Sequence, residues 1–478
     1  MYNIEIKQML KNILIKLRRS TKYPVTFSII LFIVLLTITW LLPIEENLSL
    51  VNSPNQSATT KIYSKNYSLQ TSGAFLYRIN TKAKDLPGDI SIKLDTISAE
   101  VDIQTVRGAK TRLTLLGIAP SYRVEVNGIE QKLNVYDVNK QFDSQLGDNT
   151  ALDYNVVKSD EFLYKAKGYY VDASLRSGQN KITITPGPST SPLNFSIGSD
   201  LHSGYRIGFS GLVQMIRAKP DFIVLNGDIV DYGNKAEYLI ASALTEASLV
   251  PVITNIGNHE NWQSGQKFYS KYFGHFNKSF TYKDALFVFV DNHTGYISNS
   301  QFNWLASTLS ASKESHKFVF AHMPAIDAHT KVFDSHTYRY PQMKHNLYSQ
   351  DQSNRLIQIL NQYNVDALFS GHDHIFNNFK LGNVTQANSG ALGGKIRKAD
   401  TVTYLNVSTN KEGVRVTNVP VEGKVEATNQ EHSSRLQFAK LMAKPFLADK
   451  KIRIELSLIL FLLIFGVNLI VIKHRKHK

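Results

Sequence analysis

The stretch DFIVLNGDIVDYGNKAEYLIASALTEASLVPVITNIGNHENW (221–262) decides the fold of this chain. It begins with a continuous apolar run, passes through an amphipathic segment near 235–248 and ends in a second apolar run. Buried strands that alternate with helices are typical of α/β domains. Both apolar runs stop at residues that carry chemistry, Gly227-Asp228 and Gly257-Asn258-His259. This is expected where a functional site lies beyond the carboxyl ends of the strands.

The same alternation of strands and helices extends to both sides of this stretch and predicts an α/β domain over residues 195–425. Further strand-like runs are FSIGSDLH (195–202), LFVFVDNH (286–293), KFVFAHMP (317–324) and DALFSGHDH (366–374). Further helix-like segments lie near 205–219, 299–312 and 351–364.

Five short polar motifs follow the predicted strands, and together they offer seven metal-binding side chains. Imidazole and carboxylate groups suit Mn, Fe, Zn or Co, and the chain contains no Cys that could supply a thiolate. Seven ligands are too many for one tetrahedral site and fit two metal ions that share a carboxylate. Such a pair can generate a hydroxide nucleophile at neutral pH and offset the charge of a phosphoryl group. The seven candidate ligands are Asp200, His202, Asp228, Asn258, His322, His372 and His374.

The ordered motifs resemble those of the calcineurin-like metallophosphoesterase family, whose pattern is DxH, GDxxD, GNH(D/E), a lone His and GHxH. The resemblance covers about residues 195–395, and all five motifs are intact. It implies a β-sandwich core flanked by helices, and a metal-dependent phosphoric ester hydrolase that acts on mono- or diesters by attack of a metal-bound hydroxide.

The resemblance also implies a role for each residue of the site. Asp200, His202 and His374 would bind the first metal, Asp228 would bridge, and Asn258, His322 and His372 would bind the second. His259 would be the general acid, with Asp231 setting its tautomer and charge, which carboxylate–imidazole chemistry supports independently. Related purple acid phosphatases carry a tyrosine at the position of Asp231. Its absence here argues against a purple iron site and leaves Mn, Fe, Zn or mixtures open.

Two features are candidates for substrate recognition. About 26 residues with little periodicity separate His322 from the helix near 351. Long loops without secondary structure are usually functional or disordered. We hypothesise that this loop is a lid in which Arg339 or a histidine of the loop grips phosphate, with Asn258 as a second substrate contact. A solvated loop is the alternative. Trp262 fits three roles equally, as a stacking platform for a base, a cover for the cleft or a core residue.

The N-terminal half shows a different hydrophobic pattern from the α/β domain. Short alternating runs between turn signals predict an all-β sandwich domain over 75–186. A structural spacer is favoured over a carbohydrate-binding jelly roll. The polar, turn-rich segment 44–74 is predicted to be a stalk.

One transmembrane helix is predicted at each end, at 24–43 and 456–472. Both contain long uncharged runs, VTFSIILFIVLLTITWLL (25–42) and LSLILFLLIFGVNLIVI (456–472). At ~1.5 Å per residue, each run approaches the ~30 Å thickness of a bilayer's hydrocarbon core. We favour an uncleaved anchor for the first run, because a signal peptide's apolar core usually has only ~7–15 residues.

The net charge of +15, from 54 Lys and Arg against 39 Asp and Glu, is concentrated around these helices. The tail 1–22, the juxtamembrane segment 431–455 and the tail 473–478 carry +12, which leaves +3 for the remaining residues. We therefore assign the basic residues to membrane topology and the lipid bilayer, with no nucleic-acid partner. The basic residues before the first helix predict cytoplasmic tails and a catalytic domain outside the cytoplasm, and the absence of Cys suggests a bacterial cell envelope. The alternative function is a non-catalytic envelope protein that binds a glycan or a partner and uses its metals for structure.

Overall fold

The computed structural model describes residues 59–63, 67–80, 89–137, 167–246, 248–327, 346–394, 402–410 and 413–422. Both predicted transmembrane helices, the tails 1–22 and 473–478, the segment 431–455 and Arg339 lie outside these ranges. Within them, no helix has the length and apolar character to cross a membrane.

Two sheets that share one apolar core make up the N-terminal half, as the alternating runs predict. The first sheet has the order β1-β2-β5-β11-β7-β8 and the second β3-β4-β6-β10-β9. Side chains such as Val101, Leu113 and Ile182 are fully buried between them. The strands are β1 (Thr59–Tyr63), β2 (Tyr67–Ser72), β3 (Ala74–Asn80), β4 (Asp89–Leu94), β5 (Ala99–Thr105), β6 (Ala109–Leu116), β7 (Arg123–Val126), β8 (Ile129–Gln131), β9 (Asn134–Asp137), β10 (Lys167–Leu175) and β11 (Gly178–Thr185).

The predicted stalk over 44–74 is wrong for its C-terminal part. β1 and β2 pair with each other, and β2 pairs with β5, so both strands belong to the first sheet. Their sequences, TTKIY and YSLQTS, are rich in Thr and Ser and contain few apolar residues. The alternation that marks a half-buried strand is therefore weak in this segment.

The described residues of the C-terminal half form two further sheets and five α-helices. The third sheet has the order β14-β13-β12-β21-β22 and the fourth β15-β16-β17-β18-β20-β19. The strands are β12 (Asn194–Gly198), β13 (Phe222–Asn226), β14 (Val252–Asn255), β15 (Lys278–Tyr282), β16 (Ala285–Val290), β17 (His316–Ala321), β18 (Ala367–Ser370), β19 (Phe376–Leu381), β20 (Val384–Ser389), β21 (Thr403–Asn410) and β22 (Gly413–Pro420). The helices are α1 (Tyr205–Arg217), α2 (Lys235–Glu246), α3 (Gly265–Phe273), α4 (Asn299–Ala311) and α5 (Gln350–Gln362).

These elements stack as helix, sheet, sheet and helix. Alternate residues of β13 point to opposite faces: Phe222 and Val224 pack between the sheets, while Ile223 packs beneath the helices. The space between the sheets is dominated by phenylalanines, among them Phe287 and Phe320. Because both faces of each sheet are covered, the central strands are continuously apolar. This is the predicted β-sandwich core flanked by helices.

Buried polar contacts join the N-terminal sandwich to the α/β domain. Lys93 Nζ lies 3.0 Å from Glu246 Oε1 at the end of α2, and both side chains are buried. Nearby, Asp95 Oδ2 accepts hydrogen bonds from the backbone N–H of His275 at 3.0 Å and from its Nδ1 at 2.6 Å. A buried charge without a partner is costly, so these contacts specify how the two domains pack.

Lys278, at the start of β15, is a buried cation beside this junction. Among the described residues, its Nζ atom has no hydrogen-bond partner, and it lies 5.6 Å from the centre of the Phe289 ring. Burial lowers the pKa of Lys278 from 10.5 to about 8, against the opposing effect of Asp95. Between these two pH values the unfolded chain retains a proton that the folded chain has lost, so the free energy of unfolding rises with pH.

Lys278→Met is expected to remove this rise, which approaches ~3 kcal/mol between pH 8 and pH 10.5. At pH 7 the variant should be at least as stable as the parent, because no buried ammonium remains to be desolvated. Urea denaturation of both proteins across this pH range measures the difference. Lys313→Met, at an exposed position, is the control and should leave the slope unchanged. A Lys278→Met variant with the parental slope would contradict the assignment.

Candidate metal centre

All seven predicted ligands follow strands whose carboxyl ends share one edge of the α/β domain. β12, β13 and β14 are parallel neighbours in the third sheet, and β17 and β18 are parallel neighbours in the fourth. Asn226 connects the two sheets, because its Nδ2 donates to Phe369 O at 3.0 Å and its carbonyl accepts from His322 Nδ1 at 2.9 Å. The loops that leave these strands therefore converge.

The backbone is strained where these loops turn. Five ligand residues have left-handed φ angles between 45° and 71°: Asp200, His202, Asp228, His372 and His374. Residues other than glycine rarely adopt this region, and such strain clusters at functional sites. Two glycines make the turns possible. A Cβ on Gly227 would lie 2.4 Å from His322 Nδ1, and one on Gly257 would lie 2.4 Å from Asp228 Oδ1.

Asp200, His202 and His374 form one candidate metal group, with ligand atoms within 4.8 Å of one another. His374 Nε2 lies 3.3 Å from Asp200 Oδ1 and 3.0 Å from His202 Nε2. Asp200 is held by the backbone N–H of His372, which donates to both carboxylate oxygens at 3.1 and 3.0 Å. This group is the set implied for the first metal.

Asp228, His322 and His372 form a second group by the same criterion. Asp228 Oδ2 lies 3.2 Å from His322 Nε2 and 3.6 Å from His202 Nε2, so one carboxylate faces both groups. That position fits the bridging role. Asn258 Oδ1 is buried without a hydrogen-bond partner among the described residues. Buried polar atoms are normally satisfied, so this oxygen and the His322 imidazole are candidate donors to a divalent transition metal.

His259 and Asp231 lie beside these two groups, and with His202 they form a third group whose ligand atoms lie within 4.8 Å of one another. His259 Nδ1 is 2.7 Å from the backbone carbonyl of Asp231 and 3.3 Å from its Oδ1. A carbonyl only accepts, so the carbonyl holds the proton on Nδ1 and leaves Nε2 to face the site. The predicted contact between His259 and Asp231 is therefore present, but the backbone carbonyl of Asp231 lies closer to the imidazole than the carboxylate does. The carboxylate also lies 3.4 Å from His202 Nδ1.

The electrostatic field of the site favours positive charge. Burial disfavours a charged imidazole at His322, yet Asp228 and Asp200 outweigh it and raise its pKa to about 10. At His202, burial is likewise outweighed by Asp200, Asp231 and Asp228, and the pKa rises to about 9. Burial alone would raise the pKa of Asp200 and Asp228, but the facing histidines lower both. These carboxylates stabilise cations at the positions where the ligand atoms converge.

Two buried glutamates, to which the sequence motifs assign no role, hold the loops that carry the candidate ligands. Glu260 accepts hydrogen bonds from the backbone N–H groups of Asp228 at 2.9 Å, Ile229 at 2.7 Å, Val230 at 3.1 Å and Gly257 at 2.6 Å. Glu237 accepts from the backbone of Asp231 and Tyr232 and from Ser203 Oγ. Glu237 also closes a capping box with Asn234, a pattern that was visible in the sequence.

A family profile and several solved structures resemble parts of this chain. Residues 195–376 match the sequence profile of the calcineurin-like phosphoesterase family. No curated protein matches the chain in sequence. A dimetal phosphatase from Danio rerio is 14% identical, with a TM-score of 0.37 over 48% of this chain and 100% of its own. A purple acid phosphatase from yellow lupin (Lupinus luteus) seeds is 10% identical, with a TM-score of 0.37 over 74% and 76%. The structure of PhoD is 10% identical, with a TM-score of 0.38 over 78% and 97%.

The match of residues 195–376 to the calcineurin-like phosphoesterase profile, together with the candidate ligand groups, supports a metal-dependent phosphoester hydrolase.

Proposed function

We propose that this domain uses two metal ions to hydrolyse phosphate mono- or diesters, with His259 as the general acid. The observation that supports this most strongly is the meeting of two ligand groups at Asp228, which faces His322 on one side and His202 on the other. Metal ions at such a site would supply a nucleophile at neutral pH and offset the charge of the phosphoryl group. Mn, Fe and Zn are all compatible with the imidazole, carboxylate and amide donors.

The protein's own residues have separable tasks in this proposal. Asp200 and Asp228 orient and charge the two ligand groups. Asn258, whose Oδ1 is buried without a hydrogen-bond partner among the described residues, is the further ligand in this proposal. His259 delivers a proton from Nε2 to the leaving oxygen while its Nδ1 stays bonded to the Asp231 carbonyl. Asp231 Oδ1, 3.3 Å from that Nδ1, stabilises the imidazolium before transfer. Arg339 is proposed to grip the phosphate.

Removing the metals should abolish hydrolysis, and adding Mn, Fe or Zn should restore it. The full-length protein is treated with a chelator and then assayed, with and without each metal, on p-nitrophenyl phosphate, bis(p-nitrophenyl) phosphate, nucleotides and phospholipids. Metal analysis should give two ions per active chain. Hydrolysis that survives complete chelation would contradict the proposal. A chain that binds metal and hydrolyses none of these esters would favour the non-catalytic alternative.

We further propose that two membrane helices, 24–43 and 456–472, hold this domain outside the cytoplasm. The support is the pair of uncharged segments and the basic residues that flank them. Membrane lipid phosphates and soluble phosphate esters are both within reach of such a domain.

The absence of cysteine makes the sidedness directly measurable. In intact cells, an impermeant maleimide should label Ser310→Cys, at an exposed position of α4, and should spare Ser20→Cys in the N-terminal tail. Lysed cells should show labelling of both variants, which controls for reactivity. The opposite pattern in intact cells would reverse the orientation.

A further inference from the structure

Two half-exposed aromatic side chains extend the site beyond His259. The Trp262 ring lies nearly parallel to the His259 imidazole, with an interplanar angle of 12° and centroids 5.3 Å apart. Tyr232 meets Trp262 at 63° with centroids 6.5 Å apart. Trp262 is 51% exposed and Tyr232 48% exposed, which excludes the core role that the sequence left open for Trp262. Exposed Trp and Tyr side chains are enriched at binding surfaces, because they combine a large apolar ring with a polar group.

The backbone around both rings is fixed relative to the ligand loops. Trp262 belongs to a short 3₁₀ helix, His259–Ser264, that starts directly after Asn258. A Cβ on Gly233 would lie only 2.4 Å from the Trp262 carbonyl, so the two segments touch backbone to backbone. The N–H of Tyr232 donates to Glu237 at 3.0 Å. The pair, here named the aromatic corner (Trp262 and Tyr232), is therefore built into the site.

The position of the corner identifies the part of the substrate that it can meet. His259 Nε2 lies 4.0 Å from Asp228 Oδ2, so the imidazole separates the ligand groups from the corner. A phosphoryl group bound at the ligand groups directs its departing oxygen to His259, and whatever that oxygen carries extends toward Trp262. This step rests on the proposed function, which makes His259 the general acid.

We propose that the aromatic corner binds a planar aromatic ring on the leaving group, either an aryl ring or a nucleobase, and selects such esters over aliphatic ones. One face of Trp262 lies against His259, and its remaining exposed surface can stack on a flat ring. Tyr232, inclined to Trp262, can meet the same ring edge to face, the other favoured aromatic geometry. Stacking on an aromatic side chain tolerates any base, because every base has a π face.

The test compares each variant with the parent on the same substrate, so that the intrinsic reactivity of the substrate cancels. Phenyl phosphate, adenosine 5′-monophosphate, glycerol phosphate and phosphatidic acid are assayed with the parent, Trp262→Leu and Trp262→Phe full-length proteins. Trp262→Leu should raise KM about tenfold for the two aromatic esters and change the glycerol phosphate constants less than twofold. Trp262→Phe should keep KM for the aromatic esters close to the parental value. An equal fall in kcat for every ester would overturn the proposal and make Trp262 a support for His259. A selective loss with phosphatidic acid would instead assign the corner to an acyl chain.

A binding measurement separates failure of the corner from failure of the proposed function. The difference in tryptophan emission between the parent and Trp262→Phe reports Trp262, since the other two tryptophans are common to both. Phenylphosphonate, which has no ester bond to cleave, should quench that difference signal. Quenching without hydrolysis of any ester would count against the proposed function alone. Hydrolysis without quenching would overturn the corner alone.

Discussion

Replacing Asp228 with asparagine is expected to lower kcat/KM by about 10³-fold or more and leave the fold intact, the scale seen when one electrostatic group is removed from an active site. The carboxylate is 1% exposed and faces His322, His202 and His259 at once. Its Oδ1 also accepts the backbone N–H of His259 at 2.8 Å. Asparagine keeps the volume and that acceptor, but it removes the negative charge that both ligand groups share.

Metal analysis distinguishes this cause from misfolding. Asp228→Asn should retain the parental far-UV circular dichroism spectrum and bind fewer than two metal ions, because the shared ligand is lost. Asp95→Asn is the matched control, since it makes the same change at a buried carboxylate that contacts His275 instead. That control should alter stability and keep both metals and most of the activity. Near-parental activity in Asp228→Asn would remove the basis for a shared carboxylate.

The convergence of the candidate ligands could be predicted from the sequence because it depends on local patterns. Each ligand follows a strand that reads as an apolar run, and parallel strands bring their carboxyl ends to one edge. α1, α2, α4 and α5 also end within two residues of their predicted bounds. What the motifs could not show was the support behind the ligands. Glu260 accepts hydrogen bonds from backbone N–H groups some thirty residues earlier in the chain. Every residue except proline has a backbone N–H, so the sequence does not indicate which of them Glu260 will bind.

Other differences between the predicted and the observed structure have the same cause, which is that local sequence patterns do not report contacts between distant residues. α3 begins directly after the 3₁₀ helix and buries Tyr269, Tyr272 and Phe273, but it is too short to show a clear helical period. The contacts between domains, such as Asp95 with His275, join residues 180 positions apart. No local pattern predicts which buried acid will meet which imidazole. The role of Trp262 was open for a related reason, because only the fold determines whether an apolar ring finds a core.

Replacing His259 with asparagine is expected to produce a loss that depends on the leaving group. For glycerol phosphate, whose departing alkoxide needs a proton, kcat should fall by about 10²–10⁴-fold, the usual contribution of a general acid. For p-nitrophenyl phosphate the departing phenoxide is stable without one, so the loss should be about tenfold or less. Asparagine keeps a side-chain amide that can donate to the Asp231 carbonyl, so the loop geometry should survive.

The metal content of His259→Asn shows whether His259 is a general acid or a metal ligand. His259 Nε2 lies 4.0 Å from the nearest oxygen of Asp228, farther than His322 at 3.2 Å or His202 at 3.6 Å. The variant should therefore keep two metal ions, unlike Asp228→Asn. His316→Asn, at a position on β17 that precedes the site by six residues, is the control and should leave both esters unaffected. If both esters lost activity equally and metal was lost with it, His259 would be a ligand, and the proton would have to come from another group. Equal losses with both metals retained would place its role before departure of the leaving group, in binding or orienting the phosphate.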